Sequence, residues 1–138
     1  MLLRCVKMMT QCFGGPASFG MQNHRNLRVW RQAHDLPVAV RRAIRDYPRN
    51  GYSSLISQTV RSAESVPFNI VEGCAAATNP EFARFLDMSI KSTSEREEQL
   101  ELAKDYEILN PERWQTLTAN VTSVRKQLYA LRTRVLGS

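Results

Sequence analysis

Residues 65–75 read SVPFNIVEGCA, and whether a helix survives them decides the fold. A proline inside a helix removes a backbone donor and clashes with the carbonyl four residues back, at a cost of about 3 kcal/mol. Yet Ile56, Val60, Ala63, Pro67, Ile70 and Cys74 follow one another at intervals of 4, 3, 4, 3 and 4. That is one apolar stripe running straight through the proline. The spacing therefore predicts a single helix that Pro67 bends without ending. Ser53 or Ser54 can cap its start, and Gly73 is the expected left-handed stop.

Two further rows share this helix. Thr59, Ser62, Val66, Asn69 and Gly73 are small, which lets a neighbouring backbone come close. Gln58, Arg61, Ser65, Phe68 and Glu72 are polar apart from the one aromatic. An apolar row, a small row and an aromatic on the polar row together imply contact on more than one side, so this third row is the expected oligomer interface. Asn69 and Glu72 have two readings. They are a functional pair, or the amide bonds backbone groups disturbed at the bend while Glu72 merely ends the helix; the second is the expectation.

The remaining chain from Asn26 onward also reads as helices. Leu27, Trp30, Ala33, Val40, Ile44 and Tyr47 mark a first helix ending before Pro48, with a kink expected around residues 33–37 at Pro37. "TNPEF" opens a third, with Asn79 as cap, Pro80 in the first turn and Glu81 against the helix dipole. Phe82, Phe85, Leu86, Ile90, Leu100, Ala103 and Ile108 face inward, and the helix is expected to reach Leu109. "NPE" at 110–112 opens a fourth, whose Trp114, Leu117, Val121, Val124, Leu128, Leu131 and Val135 repeat at 3, 4, 3, 4, 3 and 4. Four long helices with short loops predict an all-α, antiparallel up-down four-helix bundle over residues 26–138.

Residues 1–25 lack a helical period, and Arg4, Lys7, Thr10 and Gln11 interrupt any secretory apolar core. The expectation is a loose arm, or a start codon placed upstream of an initiating Met21. No run approaches the roughly 18 apolar residues of a membrane span. Cys5, Cys12 and Cys74 show no metal or redox spacing, so a soluble chain in the reducing cytoplasm is expected. The 138 residues carry a net charge of +6, distributed as +7 over 1–49, −5 over 50–110 and +4 over 111–138. Both ends are basic and the middle is acidic.

The stretches "LRVWRQA" (27–33), "QTVRSAESVPFNIVEG" (58–73), "EFARFL" (81–86) and "STSEREEQLELA" (92–103) resemble the four-helix bundle family named for proteins encoded in 23S rRNA intervening sequences. The resemblance spans about residues 27–109. Such proteins are similar in fold to the accessory variability determinant of diversity-generating retroelements, a basic homopentameric barrel that binds nucleic acid and a reverse transcriptase. It implies a homopentamer, with RNA or DNA and a reverse transcriptase as partners. The chain departs from the family pattern at Lys91-Ser92, where a glycine usually precedes the serine, and at Ala75, Ala76 and Ala77, where basic residues usually follow Glu-Gly.

Catalysis has no visible residues. Glu95, Glu97 and Glu98 suggest a carboxylate metal bundle, but such sites pair Glu with His three residues on, and neither His24 nor His34 follows that spacing. No nucleophile elbow or phosphate loop is present, and no cofactor or metal is expected. Basic residues are the functional lead. Arg31, Arg42, Arg45 and Arg49 fall within an arc of about 60° on the first helix at ~100° per residue, and Arg125, Lys126, Arg132 and Arg134 line the last. They are the candidate nucleic-acid contacts. The alternative is that they pair with the acidic third helix through Glu98, Glu101 and Asp105. Three functions follow: a non-enzymatic, homo-oligomeric nucleic-acid-binding accessory protein, a protein adaptor, or a purely structural bundle.

Overall fold

The computed structural model describes residues 22–137. Four helices account for most of them: α1 (Arg28–Ile44), α2 (Ser53–Cys74), α3 (Asn79–Asp105) and α4 (Pro111–Leu136). Each packs on its neighbours in sequence, and α4 closes the ring against α1. Cross-helix partners run in opposite order along each pair. Thr59 meets Arg96 while Val66 meets Ser89, and Glu97 meets Arg125 while Asp87 meets Arg132. The fold is the expected antiparallel four-helix bundle.

Of the expected loose arm over 1–25, residues 1–21 lie outside the described residues. Residues 22–25 are docked. The Gln22 N–H donates to the Cys74 carbonyl at 2.6 Å, and His24–Asn26 form a 3₁₀ turn capped by the Asn23 side chain. His24 then sets its ring edge on Trp30, 4.9 Å between centroids. Ordered structure therefore begins before residue 26, held by contacts to α1 and the end of α2.

Both internal prolines stay inside their helices. Pro67 is buried and Pro37 half-buried, and both line one groove between α1 and α2. Apolar packing of the two rings offsets the lost backbone bonds. The cap chemistry differs from expectation at two starts. At α3 the side chain of Thr78, not Asn79, accepts the Glu81 N–H at 3.3 Å. At α2 neither serine caps: Tyr52 occupies the cap position without a side-chain bond. Asn110 does cap α4, accepting from the Arg113 N–H at 2.8 Å. The third helix stops at Asp105 rather than Leu109, because Glu107 takes a left-handed φ of 60°.

The small row of α2 packs against α3. Thr59, Ser62, Val66, Asn69 and Gly73 are all buried, and α3 covers them. Gly73 is not a left-handed stop. It lies within the helix, and a Cβ there would come 2.7 Å from Phe82 Cδ2 and 3.1 Å from Phe85 Cβ. Glycine is needed for room, not for conformation.

Gly73→Val should therefore destabilise the bundle, since Phe82 is fully buried and overpacking costs about 1–3 kcal/mol, while the helix-propensity gain over glycine is below ~1 kcal/mol. A urea midpoint equal to that of the unaltered protein would show that α2 and α3 have slack here.

Candidate nucleic-acid interface

α1 buries Val29, Ala33, Leu36, Val40 and Ala43 along one stripe, which turns its arginines outward. Arg31, Arg42, Arg45 and Arg49 are all exposed. Arg41 pairs with Glu64 of α2 at 3.2 Å, and Asp46 is taken by Arg113 at 2.6 Å. With those carboxylates engaged, Arg42, Arg45 and Arg49 have no ion-pair partner among the described residues. Arg31 lies over the Trp30 ring, 5.3 Å from its centroid.

The arginines of α4 behave differently. Arg125 donates to Glu97 through both terminal guanidinium nitrogens, Nη1 at 2.5 Å and Nη2 at 3.4 Å, and Arg132 pairs with Asp87. The bond from Arg125 holds the Glu97 carboxyl below its ordinary range and lifts Arg125 in turn. Lys126 is exposed, and Arg134 is half-buried and has interactions of its own. Arg125 and Arg132 thus pair with the acidic helix, through Glu97 and Asp87 rather than the expected Glu98, Glu101 and Asp105. Glu101 is taken by Lys104 one turn on, at 3.0 Å, while Glu98 and Asp105 face solvent.

The eight basic candidates do not form one patch. Arg31 and Arg42 are eleven residues apart, or ~16 Å along the axis. In an antiparallel bundle the cluster Arg42, Arg45 and Arg49 sits at the end shared with the start of α2, the end of α3 and the start of α4. Arg31, Arg132 and Arg134 lie towards the opposite end, with Arg125 and Lys126 between.

On α2, Gln58, Arg61, Phe68 and Glu72 are exposed and Ser65 half-buried. Phe68 is 63% exposed, the most of any large apolar side chain described. It stands over a groove of about 470 Å³ between α1 and α2, walled by Trp30, His34, Pro37, Pro67 and Val71. On its other side α2 meets α3 in a polar cleft of about 340 Å³ that includes Arg61, Ser92, Glu95 and Gln99. Asn69 donates from Nδ2 to the Ser65 carbonyl (2.8 Å) and Ser65 Oγ (2.9 Å), and Ser65 Oγ lies 2.8 Å from Ser92 Oγ. The amide is spent on the helix near its proline, and Glu72 stays in solvent.

Arg96 was not legible as a special residue among its glutamates. It occupies the seam Phe82, Leu86, Ser89, Thr93, Arg96, Leu100 and Ala103, spaced 4, 3, 4, 3, 4 and 3, and is fully buried. Nη1 donates to the Thr59 carbonyl at 3.2 Å, while Nε and Nη2 have no partner. Burial pushes the guanidinium down to about 10, with the nearby Tyr47 opposing the shift, so it stays charged at neutral pH. Extending the heptad of α3 through its polar positions is the signal that would have found it.

Among the described residues no cluster of His, Cys, Asp and Glu could hold a metal, and no helix is long and apolar enough to cross a membrane. Burial lifts the Cys74 thiol to about 12, so it is no nucleophile.

Residues 25–130 match the family model of the 23S rRNA-intervening sequence proteins. A solved structure from Bacteroides thetaiotaomicron, described as a protein of unknown function from the S23 ribosomal protein family, has the same fold. It superposes with a TM-score of 0.69 at 22% identity, covering 75% of this chain and 96% of that one. No curated protein matches.

The division of the charges predicts a division of effects. Arg125→Gln should lower stability by up to ~1 kcal/mol at pH 7, whereas Arg42→Gln, Arg45→Gln and Arg49→Gln should each change it by less than ~0.5 kcal/mol. Glu97 is depressed in the fold, so its contribution is present above the ordinary carboxylate value of 4.5 and lost as pH falls through the lower folded value. The Arg125→Gln deficit in urea titrations should therefore shrink in acid; a deficit constant from pH 7 to pH 2 would contradict the pairing.

Proposed function

The chain belongs to the family of 23S rRNA-intervening sequence proteins, and we propose that it is a non-enzymatic, homo-oligomeric module that binds the phosphate backbone of nucleic acid. The observation that carries this reading is the cluster Arg42, Arg45 and Arg49, exposed and without carboxylate partners, in contrast to Arg113, Arg125 and Arg132 of α4, which are held in ion pairs. Three neighbouring guanidinium groups on a helix end and the loop after it present fork-shaped donors suited to phosphate oxygens. Contacts of this kind bind without reading sequence.

Self-association belongs to the same reading. The row Gln58, Arg61, Ser65, Phe68 and Glu72 is the contact face, with Phe68 as its anchor, and repeating the arginine cluster around an oligomer raises the effective concentration of phosphate contacts. The pentameric number and a reverse transcriptase as partner rest on the family resemblance alone. The groove beside Phe68 favours a second reading, a protein adaptor, in which binding to another protein survives moderate salt.

Neutralising phosphates releases counterions, so the logarithm of affinity should fall linearly with the logarithm of salt, by about 0.7–0.9 per phosphate contacted. Replacing Arg42, Arg45 and Arg49 together by glutamine should flatten that slope by roughly 2 to 3, read by anisotropy of a labelled oligonucleotide from 50 to 200 mM salt. A slope that does not move would remove this cluster from the interface.

Phe68→Ala should shift the protein towards monomer in light scattering while leaving its helical circular dichroism intact, since a central interface aromatic carries ~2 kcal/mol or more. A monomer before the substitution would sink the oligomer.

A further inference from the structure

Tyr52 and Tyr106 stand at the same end of the bundle as Arg42, Arg45 and Arg49. Tyr52 caps the start of α2, three residues after Arg49, and Tyr106 caps the end of α3. The antiparallel topology brings these termini together, and the two rings lie 6.0 Å apart between centroids at 41°. Tyr106 is 51% exposed and Tyr52 half-buried. Tyr52 makes no side-chain capping bond, and neither ring belongs to the buried core. Two aromatic faces are thus held at the same end of the bundle as these cations, which have no ion-pair partner among the described residues, without being needed to fill the interior.

We propose that this end of the bundle takes single-stranded nucleic acid, with unstacked bases packing on Tyr52 and Tyr106 while Arg42, Arg45 and Arg49 hold the phosphates. The proposal rests on the phosphate-binding reading above and names its substrate class. Stacking on aromatic rings beside a basic track is how single strands are held without sequence preference. A duplex keeps its bases inside the stack and offers this surface phosphates only. The carboxylates on either side of Tyr106, Asp105 and Glu107, are exposed and repel a phosphate backbone. They place the strand's backbone on the α1 side and turn its bases towards the tyrosines. The Asp46 carboxylate, which would otherwise oppose phosphate there, is bonded to Arg113.

The test compares three labelled probes of equal length on the full chain: a single-stranded oligoadenylate, an abasic strand, and the oligoadenylate paired with its complement. The oligoadenylate should bind tightest. Replacing both tyrosines by alanine should weaken it about tenfold or more and leave the abasic strand and the duplex unchanged. The double phenylalanine variant keeps the rings and should restore binding. Equal affinity of the unaltered protein for oligoadenylate and abasic strand overturns the stacking proposal, as does an equal loss on all three probes in the alanine variant, which would mean the tyrosines only hold the loops in place. In either case the salt slope carried by the arginines persists and the phosphate reading stands. Failure of all three probes to bind overturns both.

Discussion

The close approach of α2 and α3 is the constraint on which the rest of the bundle depends. Every position of the α2 row facing α3 is small or short, from Thr59 to Gly73, and at Gly73 there is no room for a single added carbon against Phe82. Opposite this short row α3 sets the Phe82 ring against Gly73, and hydroxyls and amides fill the rest of the seam. Ser89 Oγ donates to the Val66 carbonyl at 2.8 Å, and Ser62 Oγ lies 2.5 Å from Gln99 Oε1. Such bonds are worth only ~0.5–1.5 kcal/mol each, but leaving any of these groups unbonded would cost more. They fix the register of the two helices, and α4 and α1 then close over the wider apolar side.

Arg96 is the exception within that order. It lies at a seam position with one hydrogen bond to a backbone carbonyl and two nitrogens unpartnered. A buried cation without a carboxylate is expensive, and its depressed pKa expresses the same cost. Tyr47, just beyond the end of α1, lies near it, but burial lifts that phenol above its ordinary value, so at neutral pH it offers no negative charge. Arg96 lies towards the end of the bundle where Tyr47, Leu100, Ala103, Leu109 and Leu117 are buried. That end also carries the arginine cluster, the half-buried Tyr52 and the exposed Tyr106.

Antiparallel packing also sorts the charges. The acidic α3 lies between α2 and α4, so its carboxylates meet the arginines of α4 directly and cannot reach across the bundle to the outer face of α1. Neutralisation is thus local, and two basic segments that look equivalent in sequence are presented unequally: Arg125 and Arg132 are spent on ion pairs with α3 while Arg42, Arg45 and Arg49 face solvent.

The helices were legible because apolar spacing is a property of one segment at a time. The stripe from Ile56 to Cys74 carried α2 through Pro67, and the heptad from Leu117 to Val135 marked the inner face of α4, every residue of which is buried. Asn110 could be recognised as a cap because capping chemistry spans only three residues. What needed the tertiary structure were properties shared between segments. Gly73 reads as a stop until Phe82 is seen above it, and Thr78 takes the capping role from Asn79 because the chain turns into α3 one residue earlier. Arg96 reads as one charge in an acidic run until its neighbours place it in the core. Arg125 and Arg45 are alike in sequence, and only the register of α4 on α3, which sets Glu97 beside one and nothing beside the other, distinguishes them. Periodicity determines which face of a helix turns inward; which charges are cancelled depends on distances between helices, and those exist only once the bundle has closed.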